Sequence, residues 1–384
     1  MSNTPPGPLP RYPAAPPPPP PPVPPYPAPT PNSAYPARDR WGEGLPPDLV
    51  YPWDAPPPSA RRRRRFPFGR IVVLGLVSLA LASGVRALAF LSAVSTEPLW
   101  SAHLWPLADE RQANVLMLGY GGQGHDGAYL TDSLLLLHSD LVSGQAAQIN
   151  VPRDLWVQIP PDSGRYAKIN SAYAYGLGDD NDQRAGGQLV TTKVSQVTGL
   201  PTSRWITIDF QGFRTLVDAL GGVDIDVASA FSSQYPANDD PAIDPNWITI
   251  SFAAGRQHMD GETAIRYARA RYADTPEEAS DFARSQRQNR LVAAIAAKLK
   301  RPTTWPRAFA VMAALQPALR TNLAPVDLPI LFLRANLAGA TRIRLDDSNV
   351  LVNDTSSDGQ AILVPRNDDY GSIARYITEQ IPAR

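Results

Sequence analysis

Arginines dominate the polar chemistry of the middle of this chain. The run from Arg266 to Arg287 reads RYARARYADTPEEASDFARSQR, with Arg269 and Arg271 two apart, Arg284 and Arg287 three apart, and no acid within Arg266 to Tyr272. Upstream, the short apolar run Ile149 to Val151 stops at Pro152, and Arg153 and Asp154 follow where a strand gives way to a loop. A planar guanidinium matches phosphate oxygens two at a time, and several together hold a diphosphate and stabilise charge that develops in transfer. The competing reading is a solvated charged helix laced with local ion pairs, plus a surface salt bridge at Arg153 and Asp154. Spacing by three places Arg284 and Arg287 on one helix face, with Asp281 three before Arg284. Arg269 and Arg271 share no helix face and reach one ligand only if the helix ends near them, which Ala273-Asp274-Thr275-Pro276 allows. Asp132 and Asp154, each beside a strand end, are candidate carboxylates for a divalent cation, because magnesium takes one or two carboxylates and leaves its other positions to water and phosphate oxygens.

Other chemistries lack their residues. The four histidines, His103, His125, His138 and His258, form no HExxH pattern and there is no cysteine, which argues against zinc chemistry. There is no GxSxG elbow. The glycine-rich GYGGQGHDGAYL after Ala113 to Gly119 has neither dinucleotide-fingerprint spacing nor a GK[ST] ending, although its glycines allow close backbone approach to a ligand.

Positioning these groups falls to an α/β arrangement. Ala113 to Gly119, Leu134 to Leu137 and Ala147 to Val151 are continuous rather than alternating apolar runs, which predicts strands covered on both faces. A second strand-like piece, Leu155 to Ile159, leads through a turn to Lys168, Ile169 and Asn170. Helices are expected at Gln188 to Val197, Phe213 to Leu220, Glu262 to Arg271 and Ala279 to Lys300, with strands at Trp205 to Asp209 and Val223 to Val227. Residues 228 to 248 read as a polar excursion over the surface. Helical stretches at Thr304 to Leu315 and Leu328 to Ala338 precede a terminal strand, loop and helix ending near Ile381.

The chain of 384 residues is formally neutral, but its parts differ. Residues 1 to 60 are crowded with proline, including an unbroken run from Pro16 to Pro22, and read as a disordered, locally polyproline tail. Arg61 to Arg65 open a polybasic segment, 61 to 70, ahead of an uncharged run from Ile71 to Val85, with Arg86 at its far edge and Leu88 to Val94 extending the helix. Five arginines on one flank place that flank in the cytoplasm. The apolar run begins too far in for a cleaved secretory signal, so the expectation is a retained signal anchor at 71 to 94 with residues 95 to 384 outside. From residue 95 onward there are 26 basic against 32 acidic residues. An acidic ectodomain argues against nucleic acid as a partner.

An ordered set of segments, TDSLLLL, VPRDLWVQIP, Lys168-Ile169-Asn170 with Ala172-Tyr173, GFRTLVDALGGVDIDV and DFARSQRQ, resembles the LytR-CpsA-Psr family of envelope proteins over about Asn114 to Lys300. The resemblance implies an α-β-α layered domain with a mixed central sheet. It further implies transfer of a glycopolymer from a polyprenyl-diphosphate carrier to peptidoglycan or another wall acceptor, through a phosphodiester, at the outer membrane face. By motif, Asp132 corresponds to the carboxylate associated with magnesium (or manganese), and Arg153 to a diphosphate-contacting arginine with Asp154 beside it. Arg269 and Arg271 match the paired arginines, Arg284 and Arg287 those of the DxGRxxRQ stretch, and Lys168 and Asn170 fall with the cofactor. Two positions depart from the pattern: Gly121 and Leu130 stand where an aspartate and an arginine are usual, and Asp126 is the candidate replacement carboxylate. The family buries its lipid chain between sheet and helices, for which Phe210, Phe213, Leu216 and Leu220 are candidate walls or ordinary core. A non-catalytic lipid-diphosphate binder or regulator, and a polyprenyl-diphosphate hydrolase, are the alternative activities.

Overall fold

The computed structural model describes residues 68–97, 110–324, 327–334, 336–337 and 339–381. The proline-rich segment and the Arg61 to Arg65 block lie outside the described residues. Six strands form the central sheet: β1 (Gln112–Tyr120), β2 (Thr131–Asp140), β3 (Ala146–Asn150), β6 (Arg204–Asp209), β12 (Leu319–Thr321) and β13 (Thr341–Arg344), in the order β12-β6-β1-β2-β3-β13. β1 pairs antiparallel with β2 and β2 with β3, whereas β1 with β6 and β3 with β13 run parallel. The expected mixed sheet is therefore present.

Helices cover both faces, which explains the continuous apolar runs. Leu116, Leu118, Leu134, Leu136 and Ile149 face a core closed by three helices: α2 (Ser171–Leu177), α3 (Gln183–Thr198) and α10 (Tyr370–Gln380). Ala113, Val115 and Leu137 face the other way, onto Leu323 and Leu331, the latter on α9 (Asp327–Arg334). Helix α3 begins where the Asp182 carboxylate accepts from the amides of Arg184 and Ala185 and ends at Gly199 in the left-handed region. A third apolar cluster joins α4 (Phe210–Ala219), α5 (Gly261–Arg269) and α7 (Asp281–Leu299) to the strands β7 (Val223–Val227), β8 (Phe231–Pro236), β9 (Trp247–Phe252) and β10 (Gly255–Met259).

The sequence reading missed three features. Residues 228 to 248 are a surface excursion only in part: the stretch 237 to 246 is a loop, mostly exposed from Pro241 onward, but on either side of it β8 and β9 pair antiparallel, with Phe231, Tyr235, Ile250 and Phe252 buried at alternate positions. The terminal region holds β13 and a hairpin, β14 (Leu351–Thr355) and β15 (Ala361–Pro365), where one strand was expected. Before α8 (Ala308–Leu315), residues Pro302–Arg307 form a 3₁₀ turn rather than the start of that helix, in keeping with Pro306, which lacks an amide to donate. At the N-terminal side, α1 (Phe68–Val94) is one continuous helix, of which Val73–Val94 is long and apolar enough to cross a membrane.

Candidate functional site

The ends of β2 and β3 bring the expected residues together. Asp132 is the second residue of β2, and its neighbour Thr131 donates from both amide and hydroxyl to the Asn170 carbonyl, at 3.0 and 3.2 Å. The Asn170 amide donates in turn to the Arg153 carbonyl at 3.1 Å. Asn170 thus links the two strand ends through its main chain, and its residue is buried. From there a charge relay runs across the loop. Arg153 Nη1 donates to Asp132 Oδ1 at 2.5 Å, Arg153 Nε lies 3.3 Å from Asp154 Oδ2, and Lys168 Nζ lies 2.9 Å from Asp154 Oδ1. Burial pushes the Asp154 carboxyl upward, but the Lys168 hydrogen bond and the Arg153 charge outweigh it and hold the group below its ordinary value. Lys168 itself is placed on β5 (Tyr166–Lys168), paired with β4 (Trp156–Gln158) as an antiparallel hairpin.

The second arginine set arrives from α5. That helix ends at Arg269, and Ala270 at φ −53°, ψ 120° turns the chain out, the ending that the reach of both arginines required. Arg271 Nη2 then lies 3.9 Å from Asp132 Oδ1. The Arg269 guanidinium donates to Tyr235 Oη at 3.0 Å and to the Asp239 carbonyl at 2.9 Å, and sits 4.1 Å from the Phe210 ring centroid. Arg269 Nη1 also lies 3.3 Å from Asp239 Oδ1, and Asp239 pairs with Arg214, so Arg269 is held on a braced carboxylate.

Two cavities meet at these groups. The larger, about 300 Å³, is lined by Asp132, Arg153, Asp154 and Arg284 and by Arg344, Asp346, Asp347 and Asn353 from the terminal strands and their connection. The smaller, about 150 Å³, is lined by Tyr235, Trp247, Arg269, Arg271 and Tyr272. Asp132, Arg153, Arg284 and Gln288 belong to both, and Gln288 Oε1 accepts from Ser133 Oγ at 3.1 Å. The terminal residues and Tyr235 and Trp247 escaped sequence reasoning, because pairing with β3 and β8 brings them in from distant parts of the chain.

Some expected residues lie elsewhere. Arg287 does not share the orientation of Arg284: it is fully buried, donates from Nε to the Tyr267 carbonyl at 3.0 Å and from Nη2 to the Ala270 carbonyl at 2.5 Å, and pairs with Glu278 at 2.7 Å. Its guanidinium lies against Phe231 and Tyr267, lines neither cavity and braces the end of α5. Asp126 also lines neither cavity; its amide donates to the Asp240 carboxylate at 2.6 Å. Lys168 and Asn170 stand behind the cavities, acting through Asp154 and Arg153. The Asp281 side chain lies outside the described residues. Phe213, Leu216 and Leu220 pack in the third apolar cluster rather than lining either cavity.

Among the described residues no three or more His, Cys, Asp or Glu side chains gather as a metal cage. Four carboxylates line the larger cavity, Asp132, Asp154, Asp346 and Asp347. Asp132 and Asp154 are the two beside Arg153, and a magnesium ion asks for only one or two protein carboxylates, taking phosphate oxygens and water for the rest.

The sequence model of the LytR_cpsA_psr family matches residues 92–377. The chain belongs to the LytR-CpsA-Psr family. One relative is the polyisoprenyl-teichoic acid–peptidoglycan teichoic acid transferase TagV of Bacillus subtilis, 29% identical over 186 residues. That alignment covers 47% of this chain and 42% of TagV, so the chain spans less than half of this relative. The polyisoprenyl-teichoic acid–peptidoglycan teichoic acid transferase TagU of Bacillus mycoides is 27% identical over 266 residues, covering 65% of this chain and 78% of TagU. The crystal structure of B. subtilis TagV superposes with a TM-score of 0.53 at 21% identity, over 71% of this chain and 97% of that one, and so shares the fold. The LytR-CpsA-Psr match extends past α7 to take in the terminal strands that complete the larger cavity.

Proposed function

We propose that this protein is a membrane-anchored phosphotransferase that moves a glycopolymer from a polyprenyl-diphosphate carrier to peptidoglycan or another wall glycan, leaving a phosphodiester link. The observation that carries the reading is the convergence of Arg153, Arg269, Arg271 and Arg284 on two adjoining cavities beside Asp132, in a chain whose α1 is long enough to span a bilayer. Chain directions support it. Ser95, just after α1, bridges in parallel to β12, β12 runs antiparallel to β6, and β6 parallel to β1. The start of β2 and the end of β3, which carry Asp132 and lead into Arg153, therefore lie at the end of the sheet nearest α1. A lipid-borne diphosphate is met there without diffusion through bulk solvent.

In this reading the arginines hold and orient the diphosphate and stabilise charge as it moves to the leaving polyprenyl phosphate; arginine stays protonated and is no base. Trp247 and Tyr272, exposed beside Arg269 and Arg271, offer ring faces to the donor's sugar. An acceptor hydroxyl attacks the glycan-linked phosphorus, the bond from that phosphorus to the polyprenyl phosphate oxygen breaks, and the hydroxyl proton leaves to solvent or to the departing polyprenyl phosphate. Asp154, whose lowered pKa makes it a weak base, orients Arg153. A magnesium ion held by Asp132, with Asp154 beside it, would neutralise phosphate charge. The topology that fits is residues 1–60 in the cytoplasm and 95–384 outside.

The test is an in vitro reaction with a short-chain polyprenyl-diphosphate glycan, magnesium and a peptidoglycan acceptor. Wild type is expected to yield a phosphorus-linked glycan on the acceptor. Arg153→Ala and Arg269→Ala lower turnover as well as donor affinity, because their contacts strengthen as charge develops. Sugar phosphate released without acceptor product indicates hydrolysis, and tight lipid binding with neither product overturns the transferase reading.

A further inference from the structure

Helix α1 changes surroundings along its length. Leu74, Leu76, Val77, Leu79 and Leu81 are exposed, whereas from Ser83 onward the positions 83, 87, 90, 91 and 94 are half-buried or buried. That spacing is one helix face, so the domain begins to pack on α1 about where Arg86 stands. Arg86 meets the segment Pro302–Leu315 there, its guanidinium 5.6 Å from the Phe309 ring centroid. Helix α8, AFAVMAAL, has no polar side chain. Val311 turns into the protein, while Phe309 is 38% exposed and Trp305, in the preceding turn, 67% exposed. A helix that is apolar all round is ordinarily buried, yet this one shows Ala308, Phe309 and Ala310 outward, with exposed Arg301 and Arg307 on its flank.

We propose that Trp305 and Phe309 seat in the lipid headgroup–acyl boundary of the membrane that α1 crosses, with Arg301 and Arg307 on lipid phosphates. Lipid is the occupant that fits, because the patch is continuous with α1 at the level where its exposed apolar span gives way to Arg86. Aromatic rings and basic side chains concentrate at that depth of a bilayer, and anionic headgroups attract the arginines. The seat pins the domain at a second point beside α1 and fixes the height of the strand ends that carry Asp132 and Arg153. The inference rests on the reading that α1 spans the bilayer.

The chain has no cysteine, so single cysteines label cleanly. The full chain would be reconstituted in nanodiscs of equal parts phosphatidylethanolamine and phosphatidylglycerol, carrying a fluorophore on Trp305→Cys, Phe309→Cys, Val77→Cys or Val142→Cys. Val142 is 72% exposed and follows the far end of β2, away from α1. Each label is quenched either by a nitroxide lipid or by a water-soluble quencher. The expected result is severalfold stronger lipid quenching at 305, 309 and 77 than at 142. Water quenching at 305 and 309 with lipid quenching at 77 overturns the membrane seat and leaves the anchor standing. Absence of lipid quenching at 77 overturns the anchor and with it the inference. Because position 305 lies outside the Arg86–Phe309 contact, its label reads the seat even if Phe309→Cys disturbs local packing.

Discussion

Arg284 and Arg287 are both buried, and a buried guanidinium costs free energy unless its donors find partners; what separates the two is that Arg284 lines both cavities while Arg287 lines neither and turns into the protein. Burial pushes Arg287 below its ordinary pKa while Glu278 opposes, and its donors are spent on Glu278 and the carbonyls of Tyr267 and Ala270. Arg287→Ala leaves those carbonyls and Glu278 facing a void, and we expect a loss of about 3 kcal/mol or more in unfolding free energy. Arg284→Ala, on the cavity wall, is expected to lower transfer with a far smaller change in stability. Denaturant melts alongside transfer assays check the pair, and equal destabilisation of both variants would contradict this division. For Asp154 the sign follows from its depressed pKa. Its contribution is fully present above the unfolded carboxylate value of about 3.9 and is lost as pH falls through the lower folded value. Lys168→Met should therefore cost about 0.5–1 kcal/mol at neutral pH, a cost that shrinks in acid as Asp154 protonates in both proteins. Urea unfolding at both pH values measures it, and a cost independent of pH would count against the pair. Residue types and spacing made Arg153, Asp132, Arg269 and Arg271 legible as a group. The inward turn of Arg287 was not legible, since a three-residue spacing names a helix face without saying what packs on it.

Elements were readable where the pattern was strong. Continuous apolar runs marked β1, β2 and β3, and the stop signal after Tyr272 explained how Arg269 and Arg271 share a site across a helix end. β8 and β9 escaped because their buried positions, Phe231, Tyr235, Ile250 and Phe252, are separated by a polar, proline-bearing loop that reads as surface. Their pairing nonetheless supplies Tyr235 and Trp247 to the smaller cavity. Behind the opposite layer, α3 approaches the sheet through Gly187, where an added Cβ would overlap the Trp205 indole. Trp205 is fully buried and its ring packs on Tyr173. Gly187→Ala must therefore push α3 off the sheet, against the small gain in helix propensity, at a net cost of about 1–3 kcal/mol. A thermal melt equal to wild type would show that the helix–sheet spacing is slack.

At the scale of the whole molecule, the proposed orientation rests on charge and apolar length. Arg61 to Arg65 stand on one side of the apolar span, and basic residues near a span are retained on the cytoplasmic side. The chain then leaves α1 into β12's company, and the strand ends bearing Asp132 and Arg153 lie back toward that helix. Orientation thus decides which side of the membrane the cavities serve, and a wall-glycan acceptor exists only outside. Protease added to intact spheroplasts is expected to digest the domain from residue 95 onward while residues 1–60 survive as a fragment protected behind the membrane. Replacing Arg61 to Arg65 with glutamine weakens the retention signal, so a fraction of the molecules should invert and lose both the protection and the transfer activity together. A protected C-terminal domain with a digested tail in the wild type would reverse the orientation and remove the acceptor from reach, whatever the arginines bind in vitro.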